Sequence, residues 1–132
     1  MKKQLKWLLV GSLMCLGLGS VFQASFGVDS PEVKYLKQQA AQGSVRVIGD
    51  LLDAYRHGWY GLKPNDPEGL VFAKEYANKG SQVAIKILLD AYRHGWYGLK
   101  PNDPQGLVLA QKYVNQGSQV AKDFLKYNAI NK

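Results

Sequence analysis

Cysteine is all but absent from this 132-residue chain, which has only Cys15. One cysteine excludes an internal disulfide, so stability has to come from packing. Histidine occurs only twice, and no serine or cysteine sits in a nucleophile motif, which leaves little material for a hydrolytic site. The uncharged apolar run from Trp7 to Leu18 is shorter than the roughly 20 residues that a membrane-spanning helix requires. The formal net charge is +7, yet no run of Lys and Arg stands out. The charge therefore reads as a solvated surface, and no nucleic-acid partner is expected.

The N-terminus has three parts: basic Lys2, Lys3 and Lys6, the apolar run, then small residues around Ala24, Ser25 and Gly27. This is the pattern of a secretory signal peptide over residues 1–27. Cleavage is expected after Gly27, with Ser25 two positions before it. Phe22 disfavours cleavage after Ala24, and Met14 before Cys15 argues against lipid attachment. The alternative is an uncleaved anchor. The mature chain, 28–132, would be cysteine-free, periplasmic or secreted, and mildly basic, with 14 basic against 10 acidic residues.

What the chain does have is a repeat. Leu51 to Pro67 reads LLDAYRHGWYGLKPNDP, and Leu88 to Pro104 repeats all seventeen letters thirty-seven positions later. The match continues more weakly from Gly69 to Ala84 and from Gly106 to Ala121. Self-similarity at such a period marks stacked supersecondary units, each needing neighbours to bury its apolar surface.

Punctuation recurs with the repeat. Ser30-Pro31, Asp66-Pro67 and Asp103-Pro104 each supply an N-cap side chain and a proline for the first helical position. Gly43, Gly80 and Gly117 stop those helices, Ser44, Ser81 and Ser118 cap the next, and Gly58 and Gly95 end the helices that Ser44 and Ser81 begin. Six helices are predicted, at 31–42, 44–57, 67–79, 81–94, 104–116 and 118–128. The units run from 44 to 80 and from 81 to 117, with partial caps at 31–43 and 118–128. In 81–94 the polar residues Gln82, Lys86, Asp90 and Arg93 occupy one narrow arc, and the rest is apolar. Helix 104–116 sets Leu107, Val108, Leu109, Ala110, Tyr113 and Val114 against an outer set of Gln111, Lys112, Asn115 and Gln116. The end helices are softer: Val33, Tyr35, Leu36, Ala40 and Ala41 in the first, Val120, Phe124, Leu125 and Tyr127 in the last. The expected fold is all-α, a short α/α solenoid of antiparallel helix pairs with a modest core.

The order Ala84, Leu88, Tyr92, Gly95, Gly98, Leu99, Asp103, Leu107, Ala110, Val114, Gly117 resembles the Sel1-like repeat, a relative of tetratricopeptide repeats. Leu51, Tyr55, Gly58, Gly61, Leu62, Asp66, Leu70, Ala73, Ala77 and Gly80 hold the same stations in the first copy. Two departures bear on the superhelical pitch. The loop reads GWYG where the family has Gly-x-Gly, and Tyr76-Ala77 and Tyr113-Val114 replace paired alanines. The resemblance implies a non-enzymatic α/α solenoid that binds other proteins. Bacterial members are often exported, and some look like immunity proteins against secreted phospholipase effectors. Relatives linked to β-lactam chemistry rely on spaced cysteine pairs, which the mature chain lacks.

The residues themselves offer three candidate sites. Asp53 and Asp90 stand four positions before His57 and His94, a spacing at which a carboxylate can orient an imidazole, though an Asp-to-Arg or Asp-to-His pair at a helix end explains it as well. Trp59, Tyr60 and Lys63, repeated as Trp96, Tyr97 and Lys100, are the candidate partner-binding loops, with one ring of each pair expected inward and one outward. Stacked side by side, they would make a bivalent rim. The polar arc of Asp53, Arg56, Asp90 and Arg93 is a second candidate surface. Identical loops fit either a recent duplication or a partner touching both copies. A protein partner is expected, with no cofactor, no metal and a monomeric chain; a cell-wall glycan stacked on Trp59 and Trp96 is the alternative ligand.

Overall fold

A computed structural model describes residues 29–130 of the chain. The expected signal peptide, with Cys15, lies outside the described residues. Within them there are six α-helices and no strand: α1 Pro31–Ala41, α2 Val45–His57, α3 Glu68–Asn78, α4 Gln82–His94, α5 Gln105–Asn115 and α6 Gln119–Ile130. The fold is all-α. No described helix is long and apolar enough to cross a membrane.

Local chemistry sets the helix ends. Ser30, Ser44, Ser81 and Ser118 accept hydrogen bonds from the N–H groups of Val33, Val47, Ala84 and Ala121, at 3.2, 3.4, 3.2 and 3.1 Å. Each thus satisfies a donor that the first helical turn leaves unpaired. Asp66 and Asp103 bond the N–H groups of Glu68 and Gln105 at 3.0 and 2.9 Å. Helices α3 and α5 therefore begin one residue after proline rather than at it.

Short turns of three residues fold α1 onto α2, α3 onto α4 and α5 onto α6, while α2, α4 and α6 touch one another in sequence. Alanines 54, 84, 91 and 121 are buried to 0%, so helix backbones approach closely, and Tyr55, Tyr92, Tyr97 and Tyr113 fill the remaining volume. Hydrogen bonds tie successive units together: Tyr113 Oη to Asn78 at 3.0 Å, Ser118 Oγ to Gln82 at 2.8 Å, and Tyr97 Oη to the Leu52 carbonyl at 2.7 Å.

The apolar face of α5 is narrower than its letters suggest. Leu107 and Val108 are exposed, Val108 to 62%, as are Tyr35, Ala41 and Tyr127 on the end helices. The reason is geometric. Helix α1 packs on α2, α3 on α2 and α4, and α5 on α4 and α6, and the face of each turned away from these partners is left to solvent.

Gly69, at the start of α3, shows how tight the stacking is. A Cβ there would overlap the Tyr97 ring and come within 2.8 Å of Tyr55 Cβ. Gly106 is the same position one repeat on, and a Cβ there would meet only Tyr92. Gly69→Ala is expected to cost about 1–3 kcal/mol by overpacking, and more than Gly106→Ala, in urea unfolding of the two variants. Equal costs would contradict this account of the stacking.

Candidate functional site

The two identical loops share a backbone. Gly58 and Gly95 turn left-handed at φ 78° and 82°, and one 3-10 turn follows, Trp59–Gly61 or Trp96–Gly98. Tyr60 and Tyr97 both sit at φ 58°, which is strained for a bulky residue. Asn65 and Asn102 are also left-handed, a conformation that asparagine tolerates.

Their surroundings differ. Tyr97 is 2% exposed, wedged against Gly69 and Tyr55 of the preceding repeat, and its N–H lies 3.4 Å from Asn65 Oδ1. Trp96 is half-buried, with the Arg56 guanidinium 3.6 Å from its ring centre. Among the described residues no complete helix pair precedes the first copy, and Trp59 and Tyr60 are 45% and 47% exposed, edge to face at 6.4 Å. The expected symmetric split, one ring in and one out in each copy, is therefore not what the chain does. The second loop is largely consumed by packing, so no twin rim forms. Only the first presents both rings, and Lys63 and Lys100 are exposed on both.

The Asp–His pattern resolves differently from expectation. His57 stacks on Trp59 with ring centres 5.1 Å apart, and His94 on Trp96 at 5.3 Å. Asp90 pairs with Lys86, one turn earlier, at 2.9 Å, rather than with Arg93 or His94. Arg56 and Arg93 cover rings instead of carboxylates: Trp96 for Arg56, and Tyr127, at 4.2 Å, for Arg93. Tyr127 gives Arg93 the ring that Trp96 gives Arg56. The sequence offered no direct sign of this, because Tyr127 holds the register position of Asp53 and Asp90. Among the described residues no cluster of three His, Cys, Asp or Glu side chains could hold a metal.

The polar arc is divided. Asp90 and Arg93 line a cleft of about 290 Å³ between α4 and α6, with Leu89 and Phe124 as its apolar floor. Arg56 lies instead under the second loop. A separate cleft of about 400 Å³ lies beside the exposed loop, bounded by Pro31, Glu32, Tyr35, Leu36 and Tyr60. Residues 31–36 were not among the sequence candidates; the only available signal was that the repeat begins in mid-unit.

Compared with known protein families, curated proteins and solved structures, the chain matches no family model, no curated protein and no solved structure.

Two outcomes follow from the unlike burial of like letters. Tyr97→Ala is expected to cost about 3 kcal/mol or more in chemical denaturation, and Tyr60→Ala about 0.5 kcal/mol or less. Burial raises the Tyr97 hydroxyl pKa above its ordinary 10, as does the Asp53 carboxylate, with Arg56 opposing. The folded state thus holds this proton more tightly than the unfolded chain. The stabilisation is complete below pH 10 and declines as pH rises beyond it. Tyr55 behaves likewise, through burial first and its 2.8 Å bond to Glu68 second. A stability profile from pH 8 to 12 should therefore fall, and less steeply for Tyr97→Phe than for the parent.

Proposed function

We propose that the chain is an exported, non-enzymatic α/α repeat protein, a short Sel1-like solenoid, that binds a protein partner in the periplasm through its Trp59–Tyr60 edge. One observation carries this reading. Two large aromatic rings stand exposed on a backbone held by Gly58, while one repeat later Tyr97 is buried and Trp96 half-buried. Rigid Trp and Tyr side chains offer large contact area at low entropic cost. The repeat, the signal-like N-terminus and, among the described residues, the lack of an oriented acid–base pair all favour binding over catalysis. Within this class an immunity protein against a secreted phospholipase is the most concrete form. A neighbouring gene for such an enzyme would favour it, and direct inhibition of the purified enzyme would test it.

Glycan binding on paired tryptophan platforms is less well supported, since Trp96 already carries the Arg56 guanidinium on its ring. Pull-down from periplasmic extract is expected to capture a partner with the parent and with Trp96→Ala, and to lose it with Trp59→Ala/Tyr60→Ala. Retention by the double variant would count against the edge, and sedimentation with peptidoglycan would favour the glycan reading instead.

A further inference from the structure

The two junctions between successive helix pairs are built alike but not closed alike. At the second, two hydroxyls donate to side chains of the unit before. Tyr113 Oη reaches Asn78 Oδ1 at 3.0 Å, and Ser118 Oγ reaches Gln82 Oε1 at 2.8 Å. A 37-residue shift gives the first junction, where Tyr76 and Ser81 hold the donor positions. The acceptor positions there are Ala41 and Val45, whose side chains can accept nothing. Ser81 Oγ accepts from the Ala84 N–H at 3.2 Å to cap α4, but among the described residues neither its proton nor that of Tyr76 has an acceptor.

A groove of about 440 Å³ lies at this spot, and Tyr76, Ser81, Ala41 and Val45 all line it. Ile48 and Val83 add aliphatic wall, and among the lining residues only Lys79 is charged. Tyr76 is 5% exposed. Burial first, and the Glu75 carboxylate second, raise its hydroxyl pKa, so at neutral pH it stands there as a donor. Buried donors are nearly always paired, and no described residue supplies the pairing here. Ser81 caps α4 and Val45 opens α2, so the positive ends of two 13-residue helices flank the groove.

The geometry points to a binding site for a small aliphatic carboxylate in this groove. Its oxygens accept from Tyr76 and Ser81, as the Asn78 and Gln82 oxygens accept from Tyr113 and Ser118 one repeat on. Its stem lies against Ile48 and Val83. A carboxylate is favoured over a neutral amide because Lys79 and both helix ends present positive charge. Lys79 also meets Glu75 at 3.4 Å, but the two are 63% and 48% exposed, and such a pair is weak enough to exchange. A small acid is favoured over a longer chain because the volume falls in the roughly 300–1,000 Å³ range of small-molecule sites. The site is independent of the proposed function: Trp59 and Tyr60 follow the far end of α2, about 20 Å away along the helix.

Titration of isocaproate into isotopically labelled protein, followed by amide NMR shifts, tests this. Saturable shifts are expected from Ala41 to Val45 and from Ser81 to Ala84, with none at Trp59 and Tyr60. Isocaproamide should bind about tenfold more weakly. Tyr76→Phe removes only the hydroxyl and should also weaken binding about tenfold. Ala41→Asn with Val45→Gln copies the second junction into the first, and should abolish binding while raising Tm. Should that double variant not fold, Tyr76→Phe still decides. Failure to saturate at tens of millimolar overturns the inference, as does equal binding of the amide or binding that ignores these substitutions. A leucine-terminated peptide that binds where isocaproate does not would overturn it in favour of a peptide terminus.

Discussion

Tyr97 in the cleft above Gly69 is the contact on which the stacking depends. Its ring occupies space that any side chain at position 69 would fill, and its hydroxyl donates to a carbonyl forty-five residues earlier. The second repeat is thereby locked to the first in one register. The same shift then brings Tyr113 to Asn78 and Ser118 to Gln82. A chain with no disulfide among its described residues gains its order from these cross-unit ties, each satisfying a polar group that stacking would otherwise strand.

Identity of sequence does not give identity of role. Loops with the same letters and the same backbone angles differ because, among the described residues, the second has a full helix pair of the preceding unit beside it and the first does not. Where that pair exists, tyrosine goes inside and tryptophan lies under arginine. Where it does not, both rings face water. At the equivalent positions of the outer described helices the letters change: Val83 and Ile87 of α4 become Arg46 and Asp50 on α2, and Leu52 and Leu89 become Lys126 on α6.

Much of the helix layout was legible in advance, because proline, serine and glycine act on the backbone within a few residues. Ser30, Ser44, Ser81 and Ser118 cap where their positions suggest, and Gly58 and Gly95 turn left-handed. The apolar arcs of α4 were equally readable, since a helix packed against α2, α3, α5 and α6 needs apolar residues everywhere but its one polar arc. The candidate site was read less well. Nothing local distinguishes Trp59 from Trp96, or shows that His57 and His94 would stack on indoles and not meet Asp53 and Asp90. The exposure of Val108 was hidden too, because helical period does not tell how many sides of a helix are covered.

The amino-acid sequence determined the all-helical content, the helix ends and the 37-residue period, since these are short-range consequences of φ preference, capping and apolar spacing. Tertiary structure alone decided which of two identical tyrosines is core and which is surface. It also decided which cation covers which ring. Those outcomes depend on what lies one repeat away, a distance over which the local letters carry no information.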